Sequence, residues 1–338
     1  MPSNCATFGN RLYSICGYNH TSNQSFATAK NIEKLIGKFI WSASGKILRV
    51  AMEEMKNPLE RGGCGLTCIM SMSKSLLLSQ VLRLLKSGDD KSIGHVGFWM
   101  GELLGDLLPG IELGEHAEGS VLYFDHIASL IVDAKLSELV SVENWKRVTN
   151  RIIYLGFAKD FPIPKVEVES GVSLKQAWRR LGNPVLTSVS REILFLLLHN
   201  KLPVRERLFR IRLAVDPYCE HCFGSDGAII CDIEHFFCAC SRVVQVWKRL
   251  KIMIANLLAV QEAHLSDMDL LNLRLPRNNF NNEVVWLIGN YVGKLWDCLI
   301  IRSAASLCDD QFFGFLKFKY RVDQLGSRLP LNPIQGLL

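Results

Sequence analysis

The chain has 338 residues, with 39 Lys and Arg against 33 Asp and Glu, and a formal net charge of +6. Hydrophobic residues make up 49% and charged residues 21%, which is the composition of a folded protein and excludes a disordered one. The opening MPSNCATFGNRLYS lacks a basic head and an apolar segment, so it predicts no secretory signal, and we expect an intracellular protein. The mild positive charge permits a nucleic-acid partner without requiring one.

Along the chain, apolar residues recur every three or four positions rather than alternately. This spacing is typical of helices packed against a core, and segments with hairpin turns between alternating strands are scarce. The sequence therefore predicts a mainly α protein, built as a multi-helix array. Clear examples of the helical pattern are IEKLIGKFI (32–40), LLLSQVLRLL (76–85), LYFDHIASLI (122–131) and EILFLLL (192–198).

Gly and Pro residues divide this helical pattern into blocks. The stretch FPIPKVEVESG (161–171) is the best candidate for a linker, and the densest group of cysteines follows it. We predict helical blocks at 1–90 and 91–169, a Cys/His-containing block at 170–260, and C-terminal helices at 261–338.

The longest apolar tract, VVWLIGNYVGKLWDCLII, runs from Val284 to Ile301. It contains Asn290, Lys294 and Asp297, and such residues are costly at the depth of a bilayer. The tract therefore predicts a core helix, and we expect no membrane partner.

Five of the eleven cysteines and two of the eight histidines lie in one stretch, PYCEHCFGSDGAIICDIEHFFCAC (217–240). Cys219 and Cys222 form a C-x2-C pair, and His235 follows after twelve residues. Zinc prefers four thiolate or imidazole ligands in a tetrahedron, and thiols in a reducing compartment stay free or bind metal. The pattern predicts a zinc site, and four protein ligands without an open position would make it structural.

The fourth ligand is ambiguous from spacing alone. Residues three apart on a regular helix point within about 60° of each other, whereas residues five apart diverge by about 140°. Regular helix geometry therefore favours Cys238 beside His235, while a turn that becomes a helix keeps Cys240 feasible. Cys231 would then be a spare thiol.

A basic segment, HNKLPVRERLFRIR (199–212), lies just before the cysteines. A helix beginning after Pro203 would bury Leu208 and Ile211 and display its arginines to solvent or phosphate. Further cations flank Trp247, which at helical spacing is expected to be a core anchor rather than a stacking platform. The alternative interpretation of the basic segment is a solvated helix face.

Taken together, the residues from Leu194 to Trp247 resemble a known module. The run combines HNKLPVRERLFR, YCEHC and IEHFFCACSRVVQVW. It is similar to the zinc-binding module at the C-terminal end of reverse transcriptases from non-LTR (LINE-type) retrotransposons. The resemblance places His235, Cys240 and Trp247 in the register of that signature, and it therefore implies Cys219, Cys222, His235 and Cys240 as the zinc ligands.

A second resemblance lies near the start of the chain. The segment IEKLIGKFIWSASGKILRV, followed by NPLERGGCGLTCI, resembles the region after the polymerase palm in the same proteins, where a thumb helix precedes a Gly-rich turn. The matching positions are Phe39-Ile40-Trp41, Pro58 and Gly62-Gly63-Cys64-Gly65-Leu66. The resemblance implies that residues 1–90 are a thumb-like segment and 170–260 the zinc-binding domain.

The resemblance implies a nucleic-acid-binding role. In that family this end of the protein helps to hold element RNA and target DNA, so a ribonucleoprotein in the nucleus or cytoplasm is expected. Polymerase catalysis needs paired aspartates in a strand hairpin to hold magnesium, and no Tyr- or Phe-x-Asp-Asp occurs here. We therefore expect no catalytic residues and no enzyme activity in this fragment. By the same analogy the expected phosphate contacts are Arg205, Arg207, Arg210 and Lys248.

Two alternatives remain. The chain would instead be a zinc-stapled protein–protein interaction module if the arginines were paired with Glu206 and Asp216 beside an exposed apolar patch. A polymerase of unfamiliar design would need a carboxylate pair in a cleft. For that role the sequence offers Asp89-Asp90, which more simply ends a helix.

Overall fold

The computed structural model describes residues 22–41, 50–86, 91, 94, 96–100, 122–134, 147–157, 162–224, 227–274, 282–301 and 307–325. These residues are mainly helical, which confirms the predicted fold class. Their strands form a two-stranded antiparallel sheet. None of the helices in these ranges combines the length and the apolar character needed to cross a membrane.

The helices and strands are numbered here in chain order. Short 3-10 turns occur at Leu59–Arg61 and Glu262–His264, and π-turns at His235–Ala239 and Asp297–Ile301. The helices are α1 (Ser22–Trp41), α2 (Met52–Met55), α3 (Ile69–Lys86), α4 (Leu122–Asp133), α5 (Asn150–Phe157), α6 (Lys165–Ser170), α7 (Lys175–Leu181), α8 (Ser188–Leu198), α9 (Arg205–Arg210), α10 (Val244–Leu258), α11 (Asp267–Leu271), α12 (Asn282–Trp296) and α13 (Asp309–Leu325), and the strands are β1 (Tyr218–Gly224) and β2 (Gly227–Ile230).

The chain divides into two compact units that do not follow the predicted blocks. One unit comprises residues 1–48 and 66–161, and the other comprises 49–65 and 162–338. Residues 49–65, predicted within the first block, therefore belong to the unit that carries the cysteine cluster. The second unit resumes at Pro162, inside the predicted linker, but residues of that stretch form helix α6 rather than a free linker.

The first unit has an aliphatic core. Apolar side chains of α3 and α4 meet those of α5 and of residues 96–100, as the helical spacing predicts. Tyr154 on α5 accepts a hydrogen bond from the backbone N–H of Cys68 over 3.1 Å, which ties the start of α3 to α5. The buried members of this core are Leu78, Val81, Leu82, Leu85, Val96, Met100, Ile127, Leu130, Ile131, Ala134, Val148 and Ile153.

In the second unit, residues 49–65 are attached by buried polar contacts. Asn57 donates from Nδ2 to the carbonyl oxygen of Pro162 over 2.8 Å, and the Glu54 carboxylate accepts from the N–H of Lys165 over 2.7 Å. His199, at the end of α8, lies 2.8 Å from the carbonyl oxygen of Gly62 through Nε2. Because these groups are removed from water, the hydrogen bonds hold this segment firmly in place.

Gly62 and Gly63 allow this close attachment. Gly62 has a φ of +77°, and a Cβ atom there would lie 2.8 Å from the buried Trp178 ring. At Gly63 a Cβ atom would lie 1.9 Å from the carbonyl oxygen of Asn57. A side chain at Gly62 would therefore push the turn away from α7, and one at Gly63 would collide with the backbone of Asn57, which explains the two adjacent glycines by packing alone.

Helix α12 lies in the core of the second unit, as the apolar tract predicts. Val284, Ile288 and Val292 are fully buried along it, and Trp286 donates from Nε1 to the buried carboxylate of Asp323 on α13 over 2.8 Å. Asn290 is buried as well and donates from Nδ2 to the carbonyl oxygen of Trp286. Of the polar residues that interrupt the tract, Asn290 is thus accommodated by a hydrogen bond within the protein core, and the half-buried Lys294 lies over the Phe315 ring.

Candidate metal centre

The first two cysteines of the cluster lie in an irregular part of β1. The register pairs Tyr218 with Ile230 and Phe223 with Ala228, so β1 advances five residues while β2 advances two. The extra residues form a bulge that contains Cys219 and Cys222. A bulge bends its strand and redirects side chains, which lets two thiols three positions apart face one point.

The histidine and the last cysteine lie on the π-turn that follows the hairpin. The backbone N–H of Cys240 donates to the carbonyl oxygen of His235 over 2.7 Å, which is an i to i+5 hydrogen bond. Asp232 begins the turn, because its carboxylate accepts the backbone N–H of His235 over 2.7 Å. A π-turn is wider than an α-turn, so residues five apart come onto the same side.

The ligand atoms of four buried residues converge to within 4.8 Å of one another, namely Cys219, Cys222, His235 and Cys240. The Cys240 sulfur lies 3.9 Å from that of Cys219 and 3.7 Å from that of Cys222. In a tetrahedral site with zinc–sulfur bonds of about 2.3 Å, neighbouring sulfurs are about 3.8 Å apart. These four side chains can therefore hold a metal ion.

The electrostatics of the cluster favour a cation at its centre. The pKa of Cys240 is raised to about 12, chiefly by burial and also by the adjacent Cys219 and Cys222, while a hydrogen bond from the Arg242 backbone acts in the opposite direction. Thiols packed this closely cannot all ionise unless a positive charge lies among them. His235 Nε2 is buried and has no hydrogen-bond partner in the described part of the chain, as expected of an atom that binds metal.

Ser241 supports the Cys222 sulfur and was missed by the sequence analysis. Its backbone N–H and its hydroxyl each lie 3.2 Å from Cys222 Sγ, and the hydroxyl also lies 3.3 Å from the His221 carbonyl oxygen. Burial raises the pKa of Cys222, but these hydrogen bonds outweigh it, so the pKa lies below its ordinary value. The position of Ser241 directly after Cys240 was the available signal.

The two remaining cysteines of the stretch lie outside the four-residue group. Cys238 is buried, and burial raises its pKa far above the ordinary value. Burial also raises the pKa of Cys231 to about 11. Both are free thiols, and Cys231 is held by its backbone, which donates to Pro217 and accepts from Glu206. The structure thus groups Cys240, and not Cys238, with His235.

The centre is backed by aromatic residues of the core. Trp247 on α10 is buried, as predicted, and its ring centroid lies 5.2 Å from that of Tyr291 on α12. The Tyr291 hydroxyl donates to the carbonyl oxygen of Phe237, in the π-turn itself. The wide turn is therefore held against α12, on which Trp247 of α10 also packs.

The four residues predicted to contact phosphate differ in whether they already form ion pairs with carboxylates of the chain. Arg205 on α9 pairs with Asp216 over 3.1 Å and also with Glu220, and both carboxylates raise its pKa. Arg210 pairs with Glu206 over 2.7 Å.

The other two residues predicted to contact phosphate, Arg207 and Lys248, have different surroundings from Arg205 and Arg210. Arg207 donates to the carbonyl oxygen of Lys201, whereas Lys248 on α10 is exposed and makes no ion pair with the described residues.

Helix α9 begins after Pro203, as predicted, but its apolar side chains are less buried than expected. Leu208 is only half-buried and Ile211 is exposed, because the helix ends at Arg210 and the chain turns outward. Exposed apolar side chains continue through this turn and onto the hairpin that carries Cys219 and Cys222. They are Phe209, Ile211, Leu213, Val215, Tyr218, Ile229 and Ile230, called here the hairpin patch.

Two pairs of adjacent aspartates occur in the chain, and Asp89-Asp90 is the one that the sequence offers for a catalytic role. Asp89-Asp90 lies outside the described residues. Asp309-Asp310 occupies the first turn of α13, where Asp309 pairs with Arg249 over 2.7 Å. Carboxylates in a first helical turn are stabilised by the helix dipole, so this pair has an ordinary structural explanation.

The fold and the site define a mainly helical protein with a buried Cys3His cluster that could hold a metal ion. Compared with known proteins, the chain matches no family model, no curated protein and no solved structure.

Proposed function

We propose that this chain is a C-terminal part of a LINE-type reverse transcriptase, and that it binds and positions nucleic acid around a structural zinc ion. The observation that carries the proposal is the convergence of Cys219, Cys222, His235 and Cys240 on one point. These are the residues that the resemblance implies. The chain would hold element RNA or target DNA in a nuclear or cytoplasmic ribonucleoprotein, without a catalytic centre of its own.

The donor set supports zinc in a structural role. Three sulfurs and one imidazole nitrogen suit zinc at about 2.3 Å and about 2.0 Å, and four protein ligands leave no position for a reactive water. The centre joins the hairpin to the turn before α10, so the ion would add to the hydrogen bonds that Ser241 makes between the two segments. Metal content of the purified protein tests this: we expect one zinc per chain, and a folded, metal-free protein would contradict it.

The nucleic-acid role is supported by the cations beside this centre. Arg205 and Arg210 are paired with carboxylates, but exposed ion pairs contribute only about 0–1 kcal/mol, so a phosphate can replace the carboxylate. Lys248 is available without such an exchange. Helix α9 is anchored to the metal-bearing loop because the N–H of Glu206 donates to the carbonyl oxygen of Cys231 over 3.1 Å.

A pair of variants tests the exchange directly. Glu206→Gln frees Arg210, so it should tighten binding to a fluorescein-labelled RNA–DNA duplex in fluorescence anisotropy. Glu192→Gln removes an exposed carboxylate of α8 and is the matched control, because it alters net charge equally. Equal effects of the two variants would mean that only net charge matters and would contradict a phosphate contact by Arg210.

Removal of a cation gives the complementary result. Lys248→Gln should weaken binding and lower the dependence of log affinity on log salt by about 0.7–0.9, which corresponds to one phosphate contact. Lys175→Gln on α7 removes an exposed lysine of the same unit and should leave this slope unchanged. Binding that is insensitive to salt in the unsubstituted protein would refute the proposal.

The hairpin patch favours a second candidate, a zinc-stapled protein–protein interaction module. Val215 is 91% exposed and Leu213 is 59% exposed, beside arginines already paired with carboxylates. Groups of exposed apolar side chains are typical of protein–protein interaction sites, whereas nucleic-acid interfaces are more polar.

A Leu213→Ser/Val215→Ser variant separates the two candidates. If the patch mediates association between copies, sedimentation velocity should show a concentration-dependent species that the variant abolishes. Unchanged sedimentation with unchanged salt-dependent nucleic-acid binding would favour the first candidate.

A further inference from the structure

The outer face of α13 carries an apolar stripe that the metal centre does not use. Phe318 is 68% exposed, Val322 44% and Leu325 88%. Together with the half-buried Phe315, they lie at spacings of three, four and three residues. These are the a and d positions of a helix that packs along a second helix.

The opposite face of α13 is fully engaged in the core. Phe312, Leu316 and Tyr320 are buried there, and the Phe312 ring lies against Tyr291 with centroids 5.7 Å apart. The helix is therefore held rigidly, and its stripe is presented in a fixed orientation. A preorganised face loses little conformational freedom when it binds.

The exposed charges of α13 beyond its first turn are positive. Lys317 and Arg321 are exposed and form no ion pair with the residues that the structure describes, and Lys294 lies over the Phe315 ring at 5.1 Å from its centroid. Asp323 is the one carboxylate of α13 beyond its first turn. It is buried, where it accepts hydrogen bonds from Trp286 and Lys319, so the exposed carboxylate of this helix is that of Asp310, in the first turn and before the stripe begins.

We propose that the outer face of α13 docks an amphipathic helix of another protein, with an apolar stripe flanked by carboxylates. Leucine and valine side chains need an apolar partner, which nucleic acid offers poorly beside its charged backbone. A second copy of the same face would oppose cations with cations, which disfavours self-pairing. An amphipathic helix with acidic flanks would pack its apolar side chains on the stripe and place its carboxylates beside the flanking cations. This inference does not depend on the function proposed above.

A synthetic helix is the probe. We would use a fluorescein-labelled peptide of three heptads with Leu at a and d and Glu at e and g, whose own acidic flanks discourage self-pairing. A peptide with Lys at e and g is its matched control. Fluorescence anisotropy should show binding of the Glu peptide, and the Lys peptide should bind at least about tenfold more weakly, since opposed cations replace ion pairs.

Variants of the protein identify the face. Leu325→Ser should weaken binding of the Glu peptide by about tenfold or more, because burial of that side chain is lost. Lys317→Glu/Arg321→Glu should reverse the preference, so that the Lys peptide binds better. Leu35→Ser, on the exposed side of α1 in the other unit, should change neither affinity. All these side chains are exposed, so circular dichroism should stay unchanged.

Each other result overturns the proposal. Absence of binding to the Glu peptide, or binding that Leu325→Ser leaves unchanged, would exclude an acidic helix on this face. A dimer in sedimentation equilibrium that Leu325→Ser dissociates would assign the face to a second copy. Binding of labelled oligo(dT) that Leu325→Ser abolishes would assign it to nucleic acid.

Discussion

The N–H of Cys240 donates to the carbonyl oxygen of His235, five residues earlier, and this 2.7 Å hydrogen bond decides which cysteine completes the metal centre. We predict that Cys240→Ser lowers bound zinc from one per chain to near zero, because three remaining ligands leave the site open. Cys238→Ser should retain the metal, since Cys238 lies outside the converging group. Metal content by mass spectrometry of the purified variants measures both.

Cys231→Ser is the control for loss of a thiol near the site. It should also retain zinc, although Cys231 is buried beside the hairpin. Retention by Cys240→Ser together with loss in Cys238→Ser would show that the turn rearranges into a regular helix when metal binds.

The fold class was predictable because helical spacing depends only on which residues are apolar. The identity of the metal ligands was partly predictable: C-x2-C and His235 follow from residue type and spacing. Cys240 does not follow from residue type and spacing, because a regular helix would point its side chain away from His235. A π-turn brings the two side chains to the same side. Nothing in the sequence of that turn marks the extra residue, because the turn is stabilised by Tyr291, which is distant in the chain.

The attachment of residues 49–65 to the second unit was also missed. It depends on Glu54, Asn57 and His199, which carry no local pattern and meet only after folding. The burial of Ile211 was predicted wrongly for a related reason. Its helical spacing is correct, but α9 ends one residue earlier and removes it from the helix face.

Ser241 should contribute to metal affinity without contacting the ion. Ser241→Ala removes the hydroxyl beside Cys222 Sγ but keeps the backbone N–H, so one of two supporting hydrogen bonds is lost. Loss of such a supporting group costs about tenfold or more in metal affinity. Competition with a chromophoric zinc chelator measures it. Ser188→Ala, an exposed serine at the start of α8, should have no effect, and equal affinities for the two variants would contradict the role of Ser241.

Gly62 should tolerate substitution worse than Gly65, although both have positive φ. Gly65→Ala meets no atom within 4 Å, so it should cost only the backbone strain, about 1–2 kcal/mol in the free energy of unfolding. Gly62→Ala adds a clash with the buried Trp178 ring to this strain, so we expect the free energy of unfolding to fall by about 2–5 kcal/mol. Urea unfolding followed by tryptophan fluorescence compares the two. Equal losses would show that the turn moves freely away from α7.

His199 should make the stability of the second unit depend on pH. Burial lowers its pKa, and this outweighs the opposite effects of the Gly62 carbonyl and of Glu54, which lies 3.8 Å away. In the unfolded chain the pKa is about 6.5, so between that value and the lower folded pKa only the unfolded state binds the proton. The free energy of unfolding should therefore fall as pH decreases below about 6.5, by at most about 1.4 kcal/mol per pH unit.

The variant His199→Gln isolates this contribution, because glutamine can still donate to the Gly62 carbonyl but does not titrate. It should be less stable than the unsubstituted protein at pH 7.5, and its stability should change less between pH 6.5 and 5. His264→Gln, at an exposed histidine, should keep the full pH dependence, and any loss of metal at low pH affects all three proteins alike. Urea unfolding at each pH measures the difference. A slope in His199→Gln equal to that of the unsubstituted protein would mean that His199 is protonated equally in the folded and unfolded states, and that burial does not keep it neutral.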